Sequence, residues 1–246
     1  MAARVAGCDR EKVSTGLMID ESTPTVRVSD SAPIRVLVVD DHDLFRTGLA
    51  TLLVAQGGIE VVAQASGGRM GVRLAHELRP DVILMDIRMR DLEGVAATRE
   101  IVERDPAARV IALTVASDDA DVQAMIRAGA CGYLAKDTPV AGIVMAIRAA
   151  LEGVAWLSPR AAEVVLAHVR RADVEPEFDS APIEKLSPRE VAVLRLIARG
   201  MGNSQIADEL GISPRTAKNH ISNILAKLGL PSRVHAAIYA IRRGLS

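Results

Sequence analysis

Aromatic residues are scarce: one Trp, two Tyr and two Phe make up 2% of the 246-residue chain. Ala, Val, Leu and Ile must therefore do most of the packing. With apolar residues at 49%, there is enough for two cores rather than one. Cysteine is also rare. Cys8 and Cys131 sit in unlike settings, which excludes a disulfide framework. Cys131, between Ala130 and Gly132, reads as a small buried apolar residue. Val5-Ala6-Gly7-Cys8 has a superficial likeness to a lipoprotein cleavage site, but seven residues ahead of Cys8 are too few for the apolar stretch of a signal peptide. No run approaches the roughly 18 apolar residues of a membrane span. The expectation is a cytoplasmic protein.

Net charge is almost absent too, at −1, until it is divided by region. Residues 34–155 carry 13 basic and 17 acidic side chains, whereas 185–246 carry 10 basic and 3 acidic. An acidic first part and a basic second part point to different partners, and the basic end suits a polyanion such as DNA. An ordinary solvated basic surface would have the same charge.

Residues 1–33 are polar, mixed in charge and aperiodic, and are expected to be a disordered extension, or residues ahead of a later start such as Met18. From Ile34 the pattern alternates. Ile34–Val39, Ile59–Gln64, Val82–Met85, Val110–Leu113 and Gly132–Ala135 are short Val/Ile/Leu-rich runs, the signature of strands buried on both faces. Helical stretches separate them, at about 44–55, 68–78, 94–104, 119–128 and 139–153. Turn signals at Gly57-Gly58, Arg79-Pro80-Asp81, Asp105-Pro106 and Gly129 support these cuts. Repeated strand–helix alternation predicts a doubly wound parallel sheet over 34–155. Ser158-Pro159 opens a further helix to about Arg171, and an acidic stretch with two prolines completes a linker over 156–184. Everything from 185 to 246 reads as helical.

In a parallel α/β sheet, chemistry gathers outside the carboxyl ends of the strands. Asp40 and Asp41 close the first strand, Asp86 the third, Thr114 the fourth and Lys136 the fifth. Any one of these aspartates could be a helix N-cap. Several converging on one site are better explained by a cation, since neighbouring carboxylates repel unless one joins them. Hard carboxylate oxygens suit Mg2+, which also binds phosphate oxygens.

Val38-Val39-Asp40-Asp41-His42, Leu84-Met85-Asp86-Ile87-Arg88-Met89, Ala112-Leu113-Thr114 and Gly132-Tyr133-Leu134-Ala135-Lys136 resemble the motif blocks of receiver domains. The resemblance covers roughly 34–155. It implies a five-stranded, flavodoxin-like sheet of order 2-1-3-4-5, with Asp86 as the aspartate that takes a phosphoryl group from a sensor histidine kinase. It further implies Asp41, Asp86 and the backbone carbonyl of Arg88 as Mg2+ ligands, and Asp40 acting through bound water. Thr114 would turn toward the acyl phosphate, Lys136 would pair with it, and Tyr133 would be the aromatic switch residue. A carboxylate nucleophile needs mainly positioning and charge neutralisation. Three residues depart from the pattern: Arg90 stands where proline is usual, Glu93 where Asp is commoner, and Val115, bulkier than usual, is expected to narrow access to Asp86.

In the basic part, Ser187-Pro188 begins a helix, and Glu190 three residues after Ser187 completes a capping box. Asn203–Leu210 makes a short helix stopped by Gly211, and Ser213-Pro214 starts a third running to about Leu228. Two helices joined by a tight turn fit a helix-turn-helix, although a plain bundle has the same periodicity. Leu186-Ser187-Pro188-Arg189-Glu190, Asn203 with Ile206-Ala207, Ile212 through His220, Lys227-Leu228 and Arg233 resemble the LuxR-type domain. The whole chain is thus similar to NarL/FixJ response regulators. By position, the resemblance implies base-edge contacts from Lys218, Asn219 and Ser222, and phosphate contacts from Arg215, Thr216, Lys227 and Arg233. Lys227 could equally be a solvated cation at a helix end. The last helix, from about Ser232, would contribute to a homodimer on operator DNA. Departures here are Gly202 where Ser commonly caps, Ser204 where a basic residue is frequent, and Ala217 for Val.

The leading reading is a phosphorylation-controlled transcription factor, with catalysis limited to its own phosphorylation and dephosphorylation. An atypical receiver that is not phosphorylated is a second. A third is an Asp-nucleophile phosphatase, which typically carries a second aspartate two residues after the nucleophile. Arg88 occupies that position.

Overall fold

The structure, a computed structural model, describes residues 32–115, 118–171 and 183–245. The expectations for 1–31, for Cys8 and for most of the acidic linker fall outside these residues. Strands β1 (Ile34–Val39), β2 (Ile59–Ala65), β3 (Val82–Asp86), β4 (Val110–Thr114) and β5 (Gly132–Ala135) alternate with α1 (Asp43–Ala55), α2 (Gly68–Leu78), α3 (Gly94–Arg104), α4 (Asp119–Arg127) and α5 (Val140–Leu151). All strand pairs are parallel, in the order β2-β1-β3-β4-β5 followed by a short strand at the β5 edge.

The sixth strand, β6 (Trp156–Leu157), corrects the expected count of five and the reading of 156–157 as linker. Its residues pair with Gly132 and Tyr133 at the β5 edge, and two residues are too few to show a pattern in sequence. The central strands β3 and β4 are buried at every position, as continuous apolar runs require. One face of the sheet packs on α1 and α5 through Leu49, Leu53, Ile143 and Ile147. The other packs on α2, α3, α4 and helix α6 (Pro159–Arg171), through residues such as Val72, Ile101, Met125 and Val164.

After a 3-10 turn at Ile183–Lys185, the helical part comprises α7 (Pro188–Ala198), α8 (Asn203–Leu210), α9 (Pro214–Leu228) and α10 (Arg233–Arg242). Its separate core holds Val193, Leu194, Ile206, Ile224, Leu228 and Tyr239. The capping box at the start of α7 forms in both directions: Glu190 N–H donates to Ser187 Oγ (3.3 Å), and Ser187 N–H donates to the Glu190 carboxylate (2.8 Å). Gly211 ends α8 at φ 63°, a left-handed conformation that glycine adopts without penalty.

Candidate functional site

The sheet brings four residues to its carboxyl edge because parallel strands end together. Asp40 follows β1, Asp86 ends β3, Thr114 ends β4 and Lys136 follows β5. Asp40 and Asp86 are buried. Lys136 Nζ lies between them, 2.6 Å from Asp40 Oδ2 and 2.9 Å from Asp86 Oδ2, with only 9% of its side chain exposed. The same ammonium sits 4.8 Å from the centre of the Phe45 ring, a cation–π contact the sequence reading missed. The second Asp40 oxygen accepts the His42 backbone N–H at 2.8 Å.

Asp41 completes the cluster. Potential ligand atoms of Asp40, Asp41, His42 and Asp86 lie within 4.8 Å of one another. Asp41 Oδ1 is buried without a hydrogen bond, while His42 Nδ1 is 3.1 Å away and Arg90 Nε approaches the other oxygen at 3.5 Å. Three carboxylates, one with a buried oxygen that accepts no hydrogen bond, fit a hard divalent cation. Burial is the largest influence on Asp86 and raises its pKa. The hydrogen bond from Lys136 opposes this, the Asp40 charge adds to it, and the net shift is upward. Its ionised form is thus held at a cost that a cation would relieve.

Tyr133 is buried in the core, and its phenol is pushed up to about 12 by burial, against the opposing influence of the Thr114 hydroxyl. Val115 departs from expectation. It is 82% exposed, so it does not close over Asp86. Arg88 lies in the loop after β3, and its guanidinium donates to Asp121 of α4 at 2.8 and 3.2 Å. Asp119, in the same helical turn, accepts from Arg160 of α6 at 2.6 Å. Cys131 is a free thiol, pushed up to about 12 by burial.

In the helical part, Arg215, Thr216, Asn219 and Ser222 of α9 are exposed, and Lys218 is half-buried. Lys218 and Ser222 line a cleft closed on its other side by Pro106, Arg109 and Cys131 of the α/β part. Burial is the largest cause of a lowered Lys218 pKa, and the Arg109 charge adds to it. The two parts are joined by specific bonds. The Glu152 carbonyl accepts the Asn203 N–H (2.7 Å), and its carboxylate accepts the Ser204 hydroxyl (2.6 Å). The first of these satisfies an amide at the N-terminus of α8, whose N-cap Gly202 has no side chain to offer. Gly202 and Ser204, noted in the sequence only as departures from the LuxR pattern, both lie at this junction.

Two expected phosphate contacts are engaged elsewhere in this arrangement. Lys227 Nζ lies 2.8 and 2.7 Å from the two Glu190 oxygens, so it neutralises a buried carboxylate rather than standing free. Arg233 donates to Asn203 Oδ1 (2.9 Å) and to the Met201 carbonyl, and burial lowers its pKa to about 10. The expected dimer helix α10 is also partly covered, because Val234 and Ile238 pack with the α/β core.

Residues 36–148 match the response regulator receiver domain family, and residues 184–240 match the luxR family of bacterial regulatory proteins. The transcriptional regulatory protein LiaR of Bacillus subtilis (strain 168) is 45% identical over 212 residues, covering 86% of this chain and 99% of LiaR. The response regulator protein VraR of Staphylococcus aureus (strain Mu3) is 38% identical over 212 residues, covering 86% and 98%. A solved LuxR-family two-component response regulator from Aurantimonas sp. SI85-9A1 superposes with a TM-score of 0.53 at 34% identity, over 57% of this chain and 99% of that one. A parallel α/β sheet with strand-end carboxylates, followed by a helix-turn-helix, defines a receiver coupled to a DNA-binding domain. The chain belongs to the NarL/LuxR-type response regulators. It is a two-component transcription regulator, not a conventional enzyme. No helix among the described residues is long and apolar enough to cross a membrane.

Proposed function

We propose that Asp86 accepts a phosphoryl group from a sensor histidine kinase, and that this frees a DNA-binding surface held closed in the unphosphorylated chain. The observation that carries the reading is the single ammonium of Lys136 bridging the buried Asp40 and Asp86 carboxylates. A buried carboxylate is an adequate nucleophile once the incoming charge is neutralised. Asp41, Asp86 and the Arg88 backbone carbonyl would hold Mg2+, with Asp40 acting through water. Bound there, Mg2+ supplies the positive charge that the phosphoryl oxygens need. Lys136 would pair with the new phosphate, and Thr114 would turn toward it. Space left by the Thr114 hydroxyl would then admit movement of Tyr133, shifting the β4–α4 region between two states.

The output is transcription control by a homodimer on operator DNA, in the cytoplasm. Lys218, Asn219 and Ser222 would read base edges, and Arg215 and Thr216 would meet phosphates. Lys227 and Arg233 could join them only after leaving their present partners. The half-buried position of Lys218 against the receiver supports a closed, DNA-incompetent arrangement. Exposed Leu44, Leu52 and Val54 on α1, with Met145 on α5, offer apolar surface for the dimer. The domain limits we propose are 34–157 for the receiver, which takes in the β6 edge strand, and 185–246 for the DNA-binding domain, joined by 158–184. Asp86→Asn is expected to abolish labelling by acetyl phosphate. Undiminished labelling of that variant would move the phosphoacceptor elsewhere.

A further inference from the structure

The loop between β3 and α3, Ile87 to Glu93, contains no proline, so nothing in its covalent structure restrains its backbone. The fold restrains it from outside. On one flank the Asp91 carboxylate crosses to the N-terminus of α2 and accepts the backbone N–H groups of Gly68 (2.9 Å) and Arg69 (3.2 Å). The N-cap of that helix is Gly67, which has no side chain to satisfy these amides. Glycine is also what lets the loop approach. A Cβ on Gly67 would overlap the Asp91 carboxylate, and one on Gly68 would overlap the Leu92 carbonyl oxygen. On the other flank Arg88 holds Asp121, an exposed pair of small worth. At the base of the loop the Gly94 N–H donates to the Ile87 carbonyl at 2.8 Å.

We propose that Asp91 is a positioning residue for the phosphorylation site: by capping α2 from the neighbouring loop, it fixes the backbone that presents the Arg88 carbonyl beside Asp86. The inference rests on the reading of Asp86 as phosphoacceptor with Mg2+ beside it. Asp91 lies three residues beyond Arg88 and never touches the reacting atoms. Its effect is on where the loop stands. Burial alone would raise the Asp91 carboxyl, yet the amides of Leu92, Arg69 and Gly68 outweigh it and hold the group below its ordinary range. The cap is therefore made by the ionised side chain, a charge-assisted bond at a helix N-terminus.

The test uses the full chain and compares Asp91→Ala with Asp91→Asn. Mg2+ affinity is measured by calorimetry, and amide hydrogen exchange of residues 68–71 and 87–93 is followed without metal. Asp91→Ala is expected to weaken Mg2+ binding roughly tenfold, the lower end of what losing a residue that orients a metal ligand costs. It should also speed exchange in both segments, and raise by the same factor the Mg2+ needed for half-maximal labelling by acetyl phosphate. Asp91→Asn, whose single amide oxygen can accept from only one of the two N–H groups and carries no charge, should recover part of the loss. Should Asp91→Ala not fold, Gly67→Ala, which displaces the carboxylate, is expected to give the same phenotype. Wild-type Mg2+ affinity and exchange in the alanine variant, or an asparagine variant no better than alanine, would overturn the proposal. Failure of the wild-type chain to label at Asp86 would instead overturn the phosphoacceptor reading, while calorimetry and exchange would still decide the role of Asp91.

Discussion

Replacing Lys227 by Met separates two roles for a residue that the sequence pattern assigned to DNA. Glu190 is held from its ordinary 4.5 down to about 2, chiefly by the hydrogen bond from Lys227, against burial and with help from the Ser187 amide and hydroxyl. A depression of that size favours the ionised carboxylate by roughly 3 kcal/mol in the fold. The Lys227 side chain is 43% exposed, and solvent screening reduces its own share to roughly 1–2 kcal/mol. Lys227→Met should therefore lower the urea midpoint at pH 7 by roughly 0.5–1 M, for a slope near 2 kcal/mol per M. The folded pKa lies below the unfolded one. The contribution is therefore complete above about pH 4.5 and disappears as pH falls through about 2. Wild type and variant should accordingly converge in strong acid. An unchanged midpoint at pH 7, with weaker operator binding and a salt dependence shallower by about one, would show a phosphate contact and refute the structural role.

Three further outcomes follow from the same geometry. Because the Asp86 pKa is raised, its ionisation costs stability as pH climbs above the ordinary carboxylate range. Mg2+ held at a hundred times its pH 7 Kd should stabilise the chain at pH 7 by about 2.7 kcal/mol, and less in acid as Asp86 takes up its proton; a melting temperature indifferent to Mg2+ at pH 7 would contradict this. Glu152→Ala removes a hydrogen bond worth about 1 kcal/mol from the closed arrangement, so unphosphorylated chain should bind DNA roughly fivefold tighter, read by fluorescence anisotropy. Lys218→Ala should weaken binding of phosphorylated protein to its operator by about 1–3 kcal/mol, and wild-type affinity there would argue against α9 as the reading helix.

The five longer strands and the carboxylate site were legible because each rests on a local pattern. Continuous apolar runs mark β1 to β5, and the acidic or basic residue closing a run falls at the carboxyl edge. Trp156–Leu157 was read as linker because a two-residue edge strand has no periodicity. What sequence could not supply was pairing across distance. Glu190 was correctly read as half of a capping box, yet its ion pair with Lys227 spans 37 residues. Likewise Arg233 was read as a phosphate contact, but its burial depends on how α8 and α10 meet the loop after α5. Gly153 belongs to that loop at φ 71°, where an added Cβ would lie 2.7 Å from the Arg233 guanidinium. Val115 was judged by its bulk, whereas its direction decides that it faces solvent.

The central claim is that chemistry at Asp86 controls access to α9. Selection of bound genomic DNA with the full chain, before and after treatment with acetyl phosphate and Mg2+, tests it most directly. The account predicts a shared two-fold operator enriched only after treatment, with the enrichment lost in Asp86→Asn. Equal enrichment of that operator by untreated wild type, or by the treated variant, would contradict it.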